Sequence, residues 1–418
     1  MRSHPSVDDD VVAAGRAAAP APARALRVPF GQPWITADER RAVLDVLTRP
    51  TLTNGPEMQG FEREFAAFMG DEAHCVAVSS GMAALQLAAR HCGLGPGDEV
   101  IVPAQTHTAT AHAVAWTGAT PVFVDCAADS GNMSPESIAA AVTDRTRAIF
   151  VVHFVGIPCA MPAIMGLAAR HRLTVVEDCA LAVGSRIGGR HVGLFGDAGC
   201  FSFFPAKHLA TGEGGMFVSR SKDIADEARR TRSFGVDRSI APADAPWSYD
   251  VTTLGVNYRM DELSAALGRA QLRRIDEMLA RRHDNFHTLL NALAASPLRP
   301  LASSSPGHET SHYCLSGVLG PDLVPRRNAI AGAVNTAGFG TSVYYPHPVP
   351  RLQYYRQRYG WDAQRYPNAT LISDGSIAFP VGPCVSPADV RAMADAILSA
   401  LDAMAGPRVP TGGTRPCV

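Results

Sequence analysis

From residue 74 to about residue 255 the chain repeats one pattern: a short run that is apolar throughout, then an amphipathic segment, then a turn. HCVAVSS (74–80) leads into GMAALQLAARHCG (81–93), and DEVIVPA, apolar over 99–104, leads into ATAHAVAWTG. TPVFVDC (120–126) precedes SPESIAAAV (134–142), which reads as a helix opened by Ser134 with Pro135 at its first position and Glu136 close behind. RAIFVVHF, PAIMGLAARH and LTVVED continue the alternation. Strands that are apolar on both sides must be buried on both sides. Alternating with helices, they predict a mostly parallel sheet with helices on each face, an α/β domain.

The chain has 418 residues, too many for one ordinary core, so a second domain is expected. MDELSAALGRAQLRRIDEMLARRHDNFHTLLNAL (260–293) reads as a long amphipathic helical stretch that bridges to it. Residues 310–404 mix strands (YCLSGVLG, GTSVYYP, SIAFPV) with helices (NAIAGAVNTAG, SPADVRAMADAILSALDAM), as in a smaller α+β domain. The expected division is a disordered Ala/Pro/Arg-rich tail over 1–26, a large domain over 27–265, the bridging helix and small domain over 266–405, and a second disordered tail over 406–418.

Lys+Arg (38) balances Asp+Glu (39), so no basic surplus points to nucleic acid or an acidic membrane surface. Nine scattered cysteines form no C-x-x-C pair. That suits reduced core thiols in a cytoplasmic protein. Residues 148–169 lack Asp, Glu, Lys and Arg, but Gly156-Ile157-Pro158 and Pro162 break the run, which reads as strand, turn and helix rather than a membrane span.

Two residues carry the chemical signal. Lys207 follows the strand AGCFSFF and precedes the glycine-rich turn of FSFFPAKHLATGEGG (201–215). Asp178 ends LTVVED. Both then sit at carboxyl ends of strands, where α/β sheets hold ligands. A partly desolvated amine loses its proton more easily and can form a Schiff base. A carboxylate in the same pocket can keep a pyridine nitrogen protonated. Together they suit pyridoxal 5'-phosphate, whose protonated ring withdraws electrons. Ser79-Ser80-Gly81 opens a helix whose free N–H groups can hold a phosphate, and Ser202 can add a hydroxyl.

These pieces resemble the DegT/StrS-type sugar aminotransferases, pyridoxal-phosphate enzymes of fold type I. The resemblance runs from VPFGQPWIT (28–36) to about residue 400 and includes LTNGP (52–56), VSSGMAAL (78–85), GPGDEVIVPAQTHTAT (95–110), VVEDCALAVGS (175–185), GDAGCFSFFPAKHLATGEGG (196–215), GVNYRMDELSAALGRAQL (255–272) and GTSVYYPHPV (340–349). It implies a large domain with a seven-stranded-type, mostly parallel sheet. By position it makes Lys207 the Schiff-base lysine and proton carrier, and Asp178 the partner of the ring nitrogen. Gly81, the backbone N–H groups of Met82 and Ala83, and Ser202 would hold the phosphate. His107 would stack on the ring, and Asn257 would reach the phosphate from a neighbouring subunit, making a homodimer with shared sites. Met82 and Leu181 depart from the family's frequent threonine and glutamine. The implied reaction moves an amino group from glutamate or glutamine to a keto sugar, most naturally a nucleotide-linked 3- or 4-keto-6-deoxyhexose. A keto-cyclitol acceptor, a sugar dehydratase and a non-catalytic homologue are the alternatives, and an intact Lys207 argues against the last two.

His308-Glu309-Thr310-Ser311-His312 fits H-E-x-x-H, but zinc-protease chemistry needs that motif on a helix. Here it follows Ser-Ser-Ser-Pro-Gly and leads toward a strand, so no metal is expected. Tyr344, Tyr345, His347 and Arg259 could touch substrate, though core and surface-pairing roles are the simpler expectation.

Overall fold

The computed structural model describes residues 26–405, apart from 71, 239, 241–243, 245–246 and 303–304. The two expected tails, 1–26 and 406–418, lie outside the described residues except for Leu26. A seven-stranded sheet forms from His74–Val78 (β1), Glu99–Pro103 (β2), Thr120–Val124 (β3), Thr146–Val152 (β4), Thr174–Asp178 (β5), Ala198–Ser202 (β6) and Gly215–Ser219 (β7). Its order is β1-β7-β6-β5-β4-β2-β3. β7 runs antiparallel to both β1 and β6, and every other pairing is parallel. Two reversals cancel, so β1, β6, β5, β4, β2 and β3 all point the same way. Their carboxyl ends form one edge, as the apolar runs require. Val76, Val100, Ile101, Phe150, Val176 and Phe217 are wholly buried in the sheet between helices on its two faces.

The segment 260–293 is two helices, not one. Glu262–Leu272 packs on the helices Ala37–Leu47 and Pro56–Met69. Ile275–Ala292 packs on the C-terminal helix Pro387–Ala405. The chain turns between them at Arg274, whose guanidinium lies over the Trp34 ring (4.4 Å) and pairs with buried Glu39. A separate three-stranded antiparallel sheet is formed by Leu298–Pro300 (β8), Leu315–Leu319 (β9) and Ser376–Phe379 (β10). GTSVYYP, expected as a strand, touches this sheet only through the bridge of Ser342 with Ala378. Beyond it the chain leaves the sheet, and the Tyr344 carbonyl accepts instead from Gln105 Nε2 (2.9 Å).

The run 148–169 becomes the end of β4, a single 3-10 turn and the helix Met161–His171, and no described helix is long and apolar enough to cross a membrane. All eight described cysteines are free thiols, six of them buried.

One buried network fixes the end of β5. Glu177 Oε1 accepts from the amides of Phe195 (2.8 Å) and Gly196 (2.7 Å), and Oε2 from Gly193 (2.8 Å) and His153 Nε2 (3.0 Å). The Cys159 amide donates to His153 Nδ1 (3.0 Å), so the ring's proton is on Nε2. Burial pushes the Glu177 carboxyl up, but the bonds from His153, Gly196 and Gly193 outweigh it and hold the group below its ordinary 4.5. Glu177→Ala would strand these donors, and we expect it to lower unfolding free energy by more than about 3 kcal/mol in urea titrations. A loss under about 1 kcal/mol would contradict the network's importance. A depressed carboxylate stabilises fully above its unfolded pKa, so this contribution disappears as pH falls through the folded value, below 4.5.

Candidate active site

The edge formed by the strand ends brings together residues far apart in the chain. Asp178 is the last residue of β5 and is 5% exposed. Its Oδ2 accepts from Thr110 Oγ1 (2.7 Å) and its Oδ1 from the Ala180 amide (3.0 Å). Thr110 is itself fully buried and bonded to Thr106 (2.8 Å), so the carboxylate is held at a fixed angle. Sequence reasoning missed Thr110. The only available signal was its position three residues after His107, one turn along the same helix face.

Lys207 lies in the loop after β6. That loop folds back on itself through Phe203 N–H to Gly214 O (2.9 Å), Lys207 N–H to Phe204 O (2.8 Å) and Thr211 N–H to Phe203 O (2.8 Å). Its amine sits over the Tyr313 ring at 5.6 Å and makes no ion pair among the described residues. Desolvation lowers its pKa to about 8, against the opposing pull of Asp178. The carboxylate is thus near enough to act on the amine, without pairing with it. The chain contains just two lysines, and the other, Lys222, is exposed and bonded to Asp226 (2.5 Å).

Gly81 opens the helix Gly81–His91 beside Ser202: a Cβ at Gly81 would come 2.7 Å from the Ser202 Cβ. The close approach therefore requires glycine, and it places the serine hydroxyl at the helix start. The first intrahelical bond is Ala84 N–H to Ser80 O (3.2 Å), which leaves the amides of Gly81 and Met82 ahead of the ladder. The Ala83 amide donates to Ser80 Oγ (3.1 Å), an ordinary N-cap. His107 follows β2 and caps the helix Thr108–Ala115, its Nδ1 accepting from the Ala109 amide (3.1 Å). Its ring is exposed and lies 5.6 Å from that of Tyr345. Partial desolvation and then the Lys207 charge hold His107 below its usual pKa.

Asn257 is exposed, on a segment strapped over the end of β1 by Ser79 N–H to Tyr258 O (2.8 Å). Of the further residues considered, Tyr344 joins Tyr313 through their hydroxyls (2.6 Å) near Lys207, His347 is exposed, and Arg259 lies over the Phe234 ring at 5.0 Å. Leu181 is buried, and its carbonyl accepts from Ser311 Oγ (3.1 Å).

These residues fit pyridoxal phosphate. A small cradle at Gly81 and Ser202 faces a helix start, a clamped carboxylate occupies the centre of the edge, and an unpaired lysine of lowered pKa lies close by.

Known proteins resemble this chain over most of its length. Residues 33–398 match the DegT/DnrJ/EryC1/StrS aminotransferase family. The chain is 37% identical over 375 residues to the spore coat polysaccharide biosynthesis protein SpsC of Bacillus subtilis (strain 168), covering 88% of this chain and 96% of that one. It is 35% identical over 377 residues to the dTDP-3-amino-3,4,6-trideoxy-alpha-D-glucose transaminase of Streptomyces venezuelae, covering 89% and 95%. The PLP-form structure of the putative sugar aminotransferase Spr1654 from Streptococcus pneumoniae superposes with a TM-score of 0.84 at 29% identity, covering 90% of this chain and 99% of that one. The expected fold class, fold type I, holds, and pyridoxal 5'-phosphate is the cofactor. The chain belongs to the DegT/DnrJ/EryC1/StrS family of pyridoxal-phosphate-dependent aminotransferases.

Proposed function

We propose that this enzyme aminates a nucleotide-linked 3- or 4-keto-6-deoxyhexose, taking the amino group from glutamate or glutamine. The observation that carries the site assignment is the contrast between the two lysines. Only Lys207 is partly buried, unpaired and within electrostatic reach of Asp178. The S. venezuelae relative, named for a dTDP-linked amino sugar, supports the acceptor class.

Pyridoxal phosphate, when bound, supplies an aldehyde that carries the amino group between substrates and a ring that withdraws electrons from the reacting carbon. Lys207 anchors the cofactor and, as a neutral amine, takes a proton at Nζ from Cα of the donor amino acid. Its lowered pKa keeps an appreciable neutral fraction near pH 7. Asp178, fixed by Thr110 and Ala180, presents a carboxylate to the ring nitrogen and favours its protonated form. Ser202 and the amides at Gly81, Met82 and Ala83 would hold the phosphate; the Ala83 amide is bonded to Ser80 Oγ (3.1 Å). His107 would stack on the ring. Met82 offers the phosphate only its amide, and Leu181 offers the ring only apolar contact.

Asn257 acts from the partner subunit in this reading. It is exposed, and Trp247 (75% exposed) and Leu254 (76%) lie on the same stretch of chain, an apolar surface suited to self-association. The working form is then a homodimer with shared sites in the cytoplasm. Mixing inactive Lys207→Ala and Asn257→Ala subunits should restore activity in hybrid dimers, and no recovery would count against sharing.

Gly81→Ala should weaken pyridoxal phosphate binding at least about tenfold by crowding Ser202, and unchanged affinity would remove that pair from the phosphate cradle. The direct test of the function is incubation with dTDP-3-keto- and dTDP-4-keto-6-deoxyhexoses and each donor. An aminated nucleotide sugar and an equal amount of 2-oxo acid are expected. Turnover of free keto-cyclitols with neither nucleotide sugar accepted would refute the acceptor class.

A further inference from the structure

The H-E-x-x-H segment does not form a helical zinc pair. His308 and Glu309 form a two-residue ladder with Ile187 and Arg186, and His312 lies beyond it with a left-handed φ of 47°. His312 instead meets two histidines from another element. His283 and His287 are four residues apart on the helix Ile275–Ala292, so they share one face. The ring centroids of His283 and His287 are 4.4 Å apart, and those of His312 lie 5.3 Å and 5.2 Å from them. One potential donor nitrogen from each ring lies within 4.8 Å of the other two.

We propose that His283, His287 and His312 form a binding site for a divalent transition-metal ion, zinc being the reference ion. Imidazole nitrogens suit zinc, copper and nickel. Nitrogens bound to one tetrahedral zinc lie about 3.4 Å apart, so from separations within 4.8 Å the three nitrogens need to close by about 1.4 Å at most. Two of them are exposed and free to turn on their side-chain torsions. The third is held in place by its neighbours. The Ser311 amide donates to Ser185 Oγ (3.1 Å), Ser311 O accepts from His208 Nε2 (3.1 Å), and Tyr313 O accepts from Arg282 (3.0 Å). Outer partners are present as well. Thr310 Oγ1 lies 3.0 Å from His312 Nδ1 and 3.4 Å from its Nε2, and His283 Nδ1 contacts Asp284 (3.2 Å), so a hydroxyl and a carboxylate stand beside two of the rings. The cluster opens on a cavity of about 660 Å³, leaving room for water at a fourth position.

A second trio, His153, Glu177 and Cys179, is compact but differs in kind. The Glu177 oxygens and both ring nitrogens of His153 already have protein partners. The ion at His312 would clip the helix Ile275–Ala292 to the strap that carries Tyr313, whose ring faces Lys207.

The test is calorimetric titration of untagged holoenzyme, freed of unbound cofactor, with zinc chloride. One ion per chain is expected. His283→Ala, His287→Ala and His312→Ala should each weaken binding at least tenfold, while His171→Ala, at an exposed helix end elsewhere, should leave it unchanged. Cobalt(II) should give a tetrahedral visible spectrum that the same three variants lose. Absence of a saturable site, or equal binding by His287→Ala and the unaltered enzyme, would overturn the proposal. The exposed position of His283 and His287 keeps the test independent of folding defects at His312.

Discussion

Lys207→Ala is expected to lower amino transfer at least about 10³-fold while the chain stays folded, because it removes both the cofactor's anchor and the proton carrier. No second lysine can substitute. Lys222 sits on a helix at the surface, 71% exposed, with its amine held by Asp226. Added small primary amines should restore part of the rate by supplying a base in the vacated space, a recovery that a purely structural role would not give. The unaltered site should also show a pH signature. With a pKa of about 8, the amine gains its neutral form as pH rises, so cofactor uptake by the free enzyme should accelerate up to roughly pH 8 and then level off. Uptake that is flat across this range would count against a desolvated lysine.

Asp178→Asn should cost about 10²–10⁴-fold in turnover with little change in stability. The substitution keeps the shape: its one oxygen can still accept from the Ala180 amide, while its NH2 donates to Thr110 Oγ1, whose own proton can turn to Thr106 Oγ1. What it removes is the negative charge that holds the ring nitrogen protonated. The comparison with Thr110→Val separates charge from orientation. That variant leaves the carboxylate charged but loosens one oxygen, so a smaller loss is expected, about tenfold. Near-equal losses in the two variants would mean that position, not charge, is what Asp178 contributes.

The seven-stranded sheet was legible because its strands are apolar on both faces and the helices between them open on plain signals. Ser134 does cap its helix, although the reciprocal bond comes from Ser137 and not from Glu136. The break at Arg274 was not legible, because no proline or glycine marks it. It follows from the two helices packing on different partners, one on Ala37–Leu47 and Pro56–Met69 and the other on Pro387–Ala405, which is a tertiary demand. The misread strand at GTSVYYP fails for a related reason: its aromatic and β-branched residues suit a strand, but the Tyr344 carbonyl is claimed by Gln105 and its hydroxyl by Tyr313. Within the site, Lys207 and Asp178 could be read from strand ends, and Gly81 with Ser202 from the helix start. Thr110 and Tyr313 could not, since ordinary residues acquire their places only when distant segments meet. The three-histidine cluster was hidden for the same reason, with His287 and His312 25 positions apart on separate elements.

The most direct measurement is reduction of the holoenzyme with borohydride, followed by mass spectrometric mapping of its peptides. Only two lysines compete for the label, so the result is close to binary. The account predicts a phosphopyridoxyl group on the peptide containing Lys207 and an unmodified Lys222. A label on Lys222, or cofactor that leaves the reduced protein without attaching to either lysine, would contradict it.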